Sequence, residues 1–138
     1  MLKKCLLMMY LSLVVGAVQA AGLDGYDPVS YFTGGAPVKG TGAFAAEFHG
    51  EQYLFSSTGN RDAFLAAPQR YLPQFGGYCA YAVSIGKLAP GDPQVFKVVD
   101  GKLYLNVTRR AATLWEQDIP GNIRSAETNW PAIQKLPL

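Results

Sequence analysis

The stretch "QVFKVVDGKLYLNV", Gln94 to Val107, decides the fold class. Two apolar runs, Val95–Val99 and Leu103–Val107, flank Asp100-Gly101. Asp-Gly is the favoured two-residue hairpin turn, because both central positions take positive φ. Upstream, "AFAAEFHGEQYLFSS" (43–57) has the same period of two. Phe44, Ala46 and Phe48 alternate with Ala45, Glu47 and His49. Beyond a turn at Gly50-Glu51, Tyr53 and Phe55 alternate with Gln52, Leu54 and Ser56. That is a second hairpin.

After each hairpin the period lengthens. Ser57 or Thr58 is placed to cap a helix whose apolar face carries Phe64 and Leu65, and Pro68 ends it or opens a short turn bearing Tyr71 and Leu72. Thr108 caps "RRAATLWEQDI", with Ala112, Trp115 and Ile119 on one face, and Pro120-Gly121 ends that helix. "NIRSAETNWP" forms a last short helix, and Tyr78–Ile85 another with Gly86 as C-cap. Residues 21–42, rich in Gly and Pro, form an ordered arm with little regular structure, held down by Tyr26, Tyr31 and Phe32. The class is α+β, a small single domain with two β-hairpins forming an antiparallel sheet and three to four short helices. No internal repeat is evident.

The N-terminus has a different character. Met1-Leu2-Lys3-Lys4 precedes an apolar run, Cys5–Val18, with small residues up to Ala20-Ala21. This pattern predicts a secretory signal peptide over residues 1–20, with a domain over 21–138 and a periplasmic or secreted location. Cleavage removes Lys3 and Lys4, so the formal charge of +2 falls to zero. No charge argument then remains for nucleic acid, and no stable membrane span remains after cleavage.

Cleavage also leaves Cys79 as the single cysteine, in "PQFGGYCAYAVS" (73–84). An odd thiol in an exported chain points to a reactive thiol, a metal ligand or intermolecular pairing. A helix start favours the thiolate, Gly76-Gly77 lets the backbone approach a ligand, and the Tyr78 and Tyr81 hydroxyls suit a bound anion or an oxidised sulfur. The alternative is a small buried hydrophobe. His49 is the only histidine; a solvated turn residue is the plainer reading, and a metal ligand the weaker one. Asp27 before Pro28 suits a turn, with a role as ligand or thiol neighbour as the alternative, and Tyr31 suits either packing or a pocket wall.

"GYDPVSYF", "EFHGEQYLFSSTGNRDAFLAAPQRYLPQFGGYCAYAVS", "VDGKLYLN" and "DIPGNI…NWP" together resemble the exported, single-domain branch of the YHS-domain proteins. The resemblance spans Gly25 to Pro131. Relatives of that family attached to heavy-metal transporters imply soft-metal binding through cysteines. Related metal-binding modules place cysteines after an Asp-Pro-Val, after the second hairpin strand and four residues later. Here those positions hold Ser30, Ser56 and Asn60. Cys79 lies outside that set, and selenoproteins similar to this branch imply chalcogen chemistry at its position.

Three functions follow. The first is an exported binding module, for a soft metal such as Cu(I), with Cys79 as a metal ligand. The second is a thiol-dependent redox or peroxide-handling protein with Cys79 as the catalytic thiolate; it needs a partner thiol, because no resolving cysteine exists. The third is a non-catalytic partner-binding domain with a structural cysteine. The physiological partner is unnamed by the sequence, and a Cys79-linked dimer stays open in an oxidising compartment.

Overall fold

The computed structural model describes residues 21–137; the signal peptide expected over residues 1–20, with Cys5, lies outside the described residues. Strands β1 (Thr41–Phe48) and β2 (Glu51–Phe55) form one antiparallel hairpin, and β3 (Asp92–Val99) and β4 (Lys102–Asn106) form the other. Asp100-Gly101 turns the second hairpin with φ of 51° and 73°. In the first, His49-Gly50 takes the same conformation, with φ of 48° and 80°. The turn therefore sits one residue earlier than the sequence reading put it, because Glu51 pairs with Phe48. The hairpins do not join edge to edge; each is its own two-stranded sheet.

Among the described residues, six α-helices accompany them rather than three or four: α1 (Ser30–Thr33), α2 (Thr58–Ala66), α3 (Pro68–Tyr71), α4 (Ala80–Ser84), α5 (Arg109–Glu116) and α6 (Ile119–Ile133). The α+β class holds. Ser57 and Thr108 cap α2 and α5 by accepting from Asn60 N (3.1 Å) and Ala111 N (3.1 Å). Phe64 is the buried anchor of α2, whereas Leu65 points to solvent. Pro120-Gly121 does not terminate a helix. Pro120 sits in the first turn of α6, where a missing N–H is harmless, and Asp118 caps that turn by accepting from Gly121 N at 3.0 Å.

The second half of the chain repeats the first, 51 or 52 positions later. Both hairpins break register at the same place, between Thr41 and Ala45 and between Asp92 and Phe96. A left-handed turn, Leu23-Asp24-Gly25 with φ of 55°, 52° and 81°, recurs as Phe75-Gly76-Gly77 with φ of 55°, 60° and 82°. Asp27 N donates to Val38 O (2.7 Å) as Cys79 N donates to Ala89 O (2.8 Å), and Gly40 N to Gly25 O (2.8 Å) as Gly91 N to Gly77 O (3.0 Å). The Tyr53–Phe64 ring pair at 5.3 Å recurs as Tyr104–Trp115 at 5.4 Å. Ala67 before α3 and Asp118 before α6 share φ of −153°, with ψ of 70° and 75°. The repeat escapes the sequence because its requirements are conformational: few positions, such as Gly25-Tyr26 and Gly77-Tyr78, keep the same residues.

The two units dock head to tail. Leu23, Tyr26, Tyr31 and Phe32 of the first pack on Phe96, Val98, Leu103 and Leu105 of the second hairpin. Tyr31 sets its ring edge-on to Phe96 at 5.0 Å, and its hydroxyl donates to Pro93 O at 2.8 Å. The matching face of the second unit, Phe75, Tyr78 and Val83, has no third unit to meet. Helix α6 covers it with Ala126, Trp130 and Ile133, and Asn129 Nδ2 donates to the carbonyls of Val83 (3.0 Å) and Ser84 (3.2 Å). On the first hairpin, the counterparts of Val98 and Leu103 are the exposed Glu47 and Gln52, and those of Phe96 and Leu105 are Ala45 and Leu54, so that outer face carries charge and polarity at its centre. Both ends of the stack are capped, as repeat architectures require.

Gly40 and Gly91 mark the tightest backbone crossing in each unit. A Cβ on Gly40 would lie 2.3 Å from Leu54 C, and one on Gly91 would lie 2.5 Å from Gly77 O. Gly40→Ala and Gly91→Ala are each expected to destabilise the protein by about 1–3 kcal/mol in urea denaturation. Gly42→Ala, with open space around it, is the control and should sit within about 0.5 kcal/mol of wild type.

Candidate functional site

Cys79 is the N-cap of α4 and is fully buried. Its Sγ accepts from Ala82 N at 3.5 Å and donates to Asn106 Oδ1 at 3.4 Å. Asn106 Oδ1 also accepts from Tyr81 N at 3.0 Å, so one amide ties the thiol and the helix start to the end of β4. Ala82 and Ala111 enclose the sulfur, with Tyr81 and Ala89 packed outside them. Tyr78 belongs to a different cluster, its ring 5.8 Å from Trp130. The two tyrosines that flank Cys79 in sequence thus face different neighbours.

His49 is exposed at the β1–β2 turn, its ring edge-on to Phe48 at 4.1 Å. It does not meet Cys79, which lies in the core. Among the described residues, no three His, Cys, Asp or Glu side chains are placed to hold a metal ion together.

Asp27 organises the other unit. Its carboxylate is wholly buried and accepts four hydrogen bonds: from Val29 N (2.8 Å), Ser56 N (2.9 Å), Ser56 Oγ (2.8 Å) and Asn60 Nδ2 (2.7 Å). Ser30 Oγ donates to Asp27 O at 2.6 Å and accepts from Val38 N at 3.0 Å. Ser30, Ser56 and Asn60, the three positions singled out in the sequence as lacking cysteines, therefore do converge. They converge on Asp27, which consumes their donors within the chain. The repeat places Cys79 where the first unit has Asp27, and Ala82 and Ala111 where it has Ser30 and Asn60. The polar knot of one unit is an apolar cluster in the other.

Tyr31 is buried in the contact between units. Its pKa is raised, mainly by burial and further by Tyr26, Asp24 and Asp92. Tyr53 is raised too, by burial first and then by Glu51, whose Oε2 accepts its hydroxyl at 2.9 Å. Burial likewise raises Tyr104, helped by Glu127 and Asp100.

Sequence reasoning did not find the cleft between the units. It has a volume of about 680 Å³. Leu23, Phe48, Leu72, Pro93 and Leu105 give it apolar walls; Asp24, His49, Glu51 and Gln69 supply polar groups. Gly76, Gly77 and Gly91 expose bare backbone on its far side. One wall is the left-handed turn of each unit. Only the Gly76-Gly77 pair signalled this in advance; Leu23 and Asp24 carry positive φ without being glycine, as Phe75 does in the second unit. His49 belongs here by geometry, away from any thiol.

Two outcomes are expected. Asp27→Asn keeps the shape but turns an amide toward donors, and should cost about 2–4 kcal/mol in urea denaturation, since each buried donor left unpaired costs about 1–3 kcal/mol. The raised tyrosines favour their protonated forms in the folded state. Their stabilisation is complete below the ordinary value of 10.0 and is lost as pH rises above it. In an alkaline titration, phenolate absorbance from Tyr31, Tyr53 and Tyr104 should appear together with the loss of circular dichroism.

Residues 29–75 match the family model of the YHS domain, a span from the arm through the first hairpin, α2 and α3 to Phe75. No curated protein and no solved structure matches the chain.

Proposed function

We propose that this chain, whose residues 29–75 form a YHS domain, is an exported, non-catalytic binding module that takes a small organic ligand in the cleft between its two units. The cleft carries this reading: it is concave, lies at a junction between units, and sets apolar side chains beside polar groups. Export rests on the leader pattern of residues 1–20.

Cys79 plays a structural part in this reading. A soft metal needs further thiolate, thioether or imidazole ligands, and the groups that touch Sγ are a backbone N–H and an amide oxygen. Peroxide chemistry needs access to the sulfur, and the thiol is fully buried. The YHS domain keeps metal binding in view for the family, but in this chain the side chains that converge in the first unit are spent on Asp27.

Fragment screening by protein-observed NMR, run on wild type and Cys79→Ala, tests the reading. Hits should perturb Leu23, Asp24, His49 and Glu51 alike in both proteins, and iodoacetamide should modify Cys79 no faster than the chain unfolds. Cu(I) retained by wild type against a competing chelator, but lost by Cys79→Ala, would overturn it in favour of the metal.

A further inference from the structure

The charge that lines the cleft is unbalanced. Its ionisable groups, Asp24, His49, Glu51 and the Tyr53 phenol, all come from the first unit. Among the described residues none that lines it is Lys or Arg, and the second unit faces it with Gly76, Gly77, Pro90, Gly91, Pro93 and Leu105, which carry no charge. Asp24 has a cation beside it, because Lys39 Nζ donates to the Asp24 carbonyl oxygen. Glu51 has none among the described residues. The ion pairs there are Arg61–Asp62 and Lys97–Glu116, and the group on Glu51 Oε2 is the neutral Tyr53 hydroxyl, at 2.9 Å.

Ala21 lines the same cleft. Its neighbour Gly22 lies against the Tyr53 ring: a Cβ there would stand 2.4 Å from Tyr53 Cε1 and 2.9 Å from Cζ, the carbon that bears the hydroxyl. This contact holds the start of the arm at the end of the Tyr53 side chain that reaches Glu51. In the uncleaved chain the Ala21 nitrogen is an uncharged peptide N–H. Hydrolysis of the Ala20–Ala21 bond by water leaves a carboxylate on the departing leader and an α-ammonium on Ala21, which ordinarily titrates at about 7.7–8.0. Cleavage therefore brings a cation to a wall that carries two carboxylates.

We infer that the α-ammonium of Ala21, created by removal of residues 1–20, forms an ion pair with Glu51 on the wall of the cleft, so that processing itself completes the site. This rests on export with cleavage after Ala20, and not on what the cleft binds. The pair favours the charged amine, so its stabilisation is full below the ordinary α-amino range and is lost as pH rises through the raised value. The test expresses the full chain with its own leader, purifies the exported protein, reads its N-terminus by intact mass, and follows acetic anhydride labelling of the Ala21 amine against pH. The mass should match a chain that starts at Ala21. The labelling midpoint should lie about half a pH unit above the ordinary range, which slows the reaction about threefold near neutrality. Glu51→Gln keeps an acceptor for Tyr53 and should return the midpoint to the ordinary range, whereas Glu47→Gln, outside the cleft, should leave it raised. An ordinary midpoint in wild type overturns the pair. A raised midpoint that survives Glu51→Gln overturns it too, and its fall in Asp24→Asn would then assign the amine to Asp24. A chain that keeps its leader, or starts elsewhere, removes the pair, while the fragment screen still decides whether the cleft binds.

Discussion

Asp27 is the point on which the first unit is built. A carboxylate removed from water is costly unless its oxygens are fully paired, and here four donors reach it. Those donors come from the arm, from the end of β2 and from the first turn of α2. One side chain therefore ties the arm to the junction of β2 and α2, 29 to 33 residues further along the chain. With the arm pinned at Asp27, Tyr31 is held over the second hairpin, where its hydroxyl reaches Pro93 O. The intra-unit knot thus sets the inter-unit contact, and the inter-unit contact sets the cleft.

The lone thiol gains its meaning from the same knot. The second unit keeps the backbone of the first but replaces Ser56 and Asn60 with Val107 and Ala111. A carboxylate at position 79 would then be buried without the donors that Asp27 enjoys. A thiol is small, tolerates apolar surroundings, and still accepts the N–H of Ala82 and donates to Asn106. The glycines before Cys79 belong to the left-handed turn, where the first unit has Asp24 and Gly25, and Cys79 stands between two tyrosines that belong to separate packing clusters.

Much of this was legible, and the remainder has physical reasons for being hidden. Asp100-Gly101 declared its hairpin because the turn constrains residue type directly. Ser57 and Thr108 declared their helices through capping chemistry. Pro120 misled, because a proline at a helix start and a proline past a helix end look alike without knowledge of the cap, Asp118. Asp27 looked like an ordinary turn former, since its partners Ser56 and Asn60 are brought to it only by folding. His49 is one residue in a turn by sequence and a rim residue of the cleft by geometry. The cleft is assembled from the arm, the hairpin end, α3 and the second turn, so no local pattern encodes it.

The asymmetry between the units explains how a repeat becomes a finite, functional domain. A heterologous contact of face on hairpin would propagate without limit if both ends stayed complementary. Here the free hairpin carries Glu47 and Gln52 where the buried one carries Val98 and Leu103, and α6 closes the other end. The same extension that caps the stack places Trp130 over one left-handed turn. In the first unit the matching face, Leu23, Tyr26 and Tyr31, is covered by the second hairpin instead. The cap is therefore the consequence of a single difference: in one copy the chain continues as α6 after its proline turn, and in the other it leaves to begin the next unit.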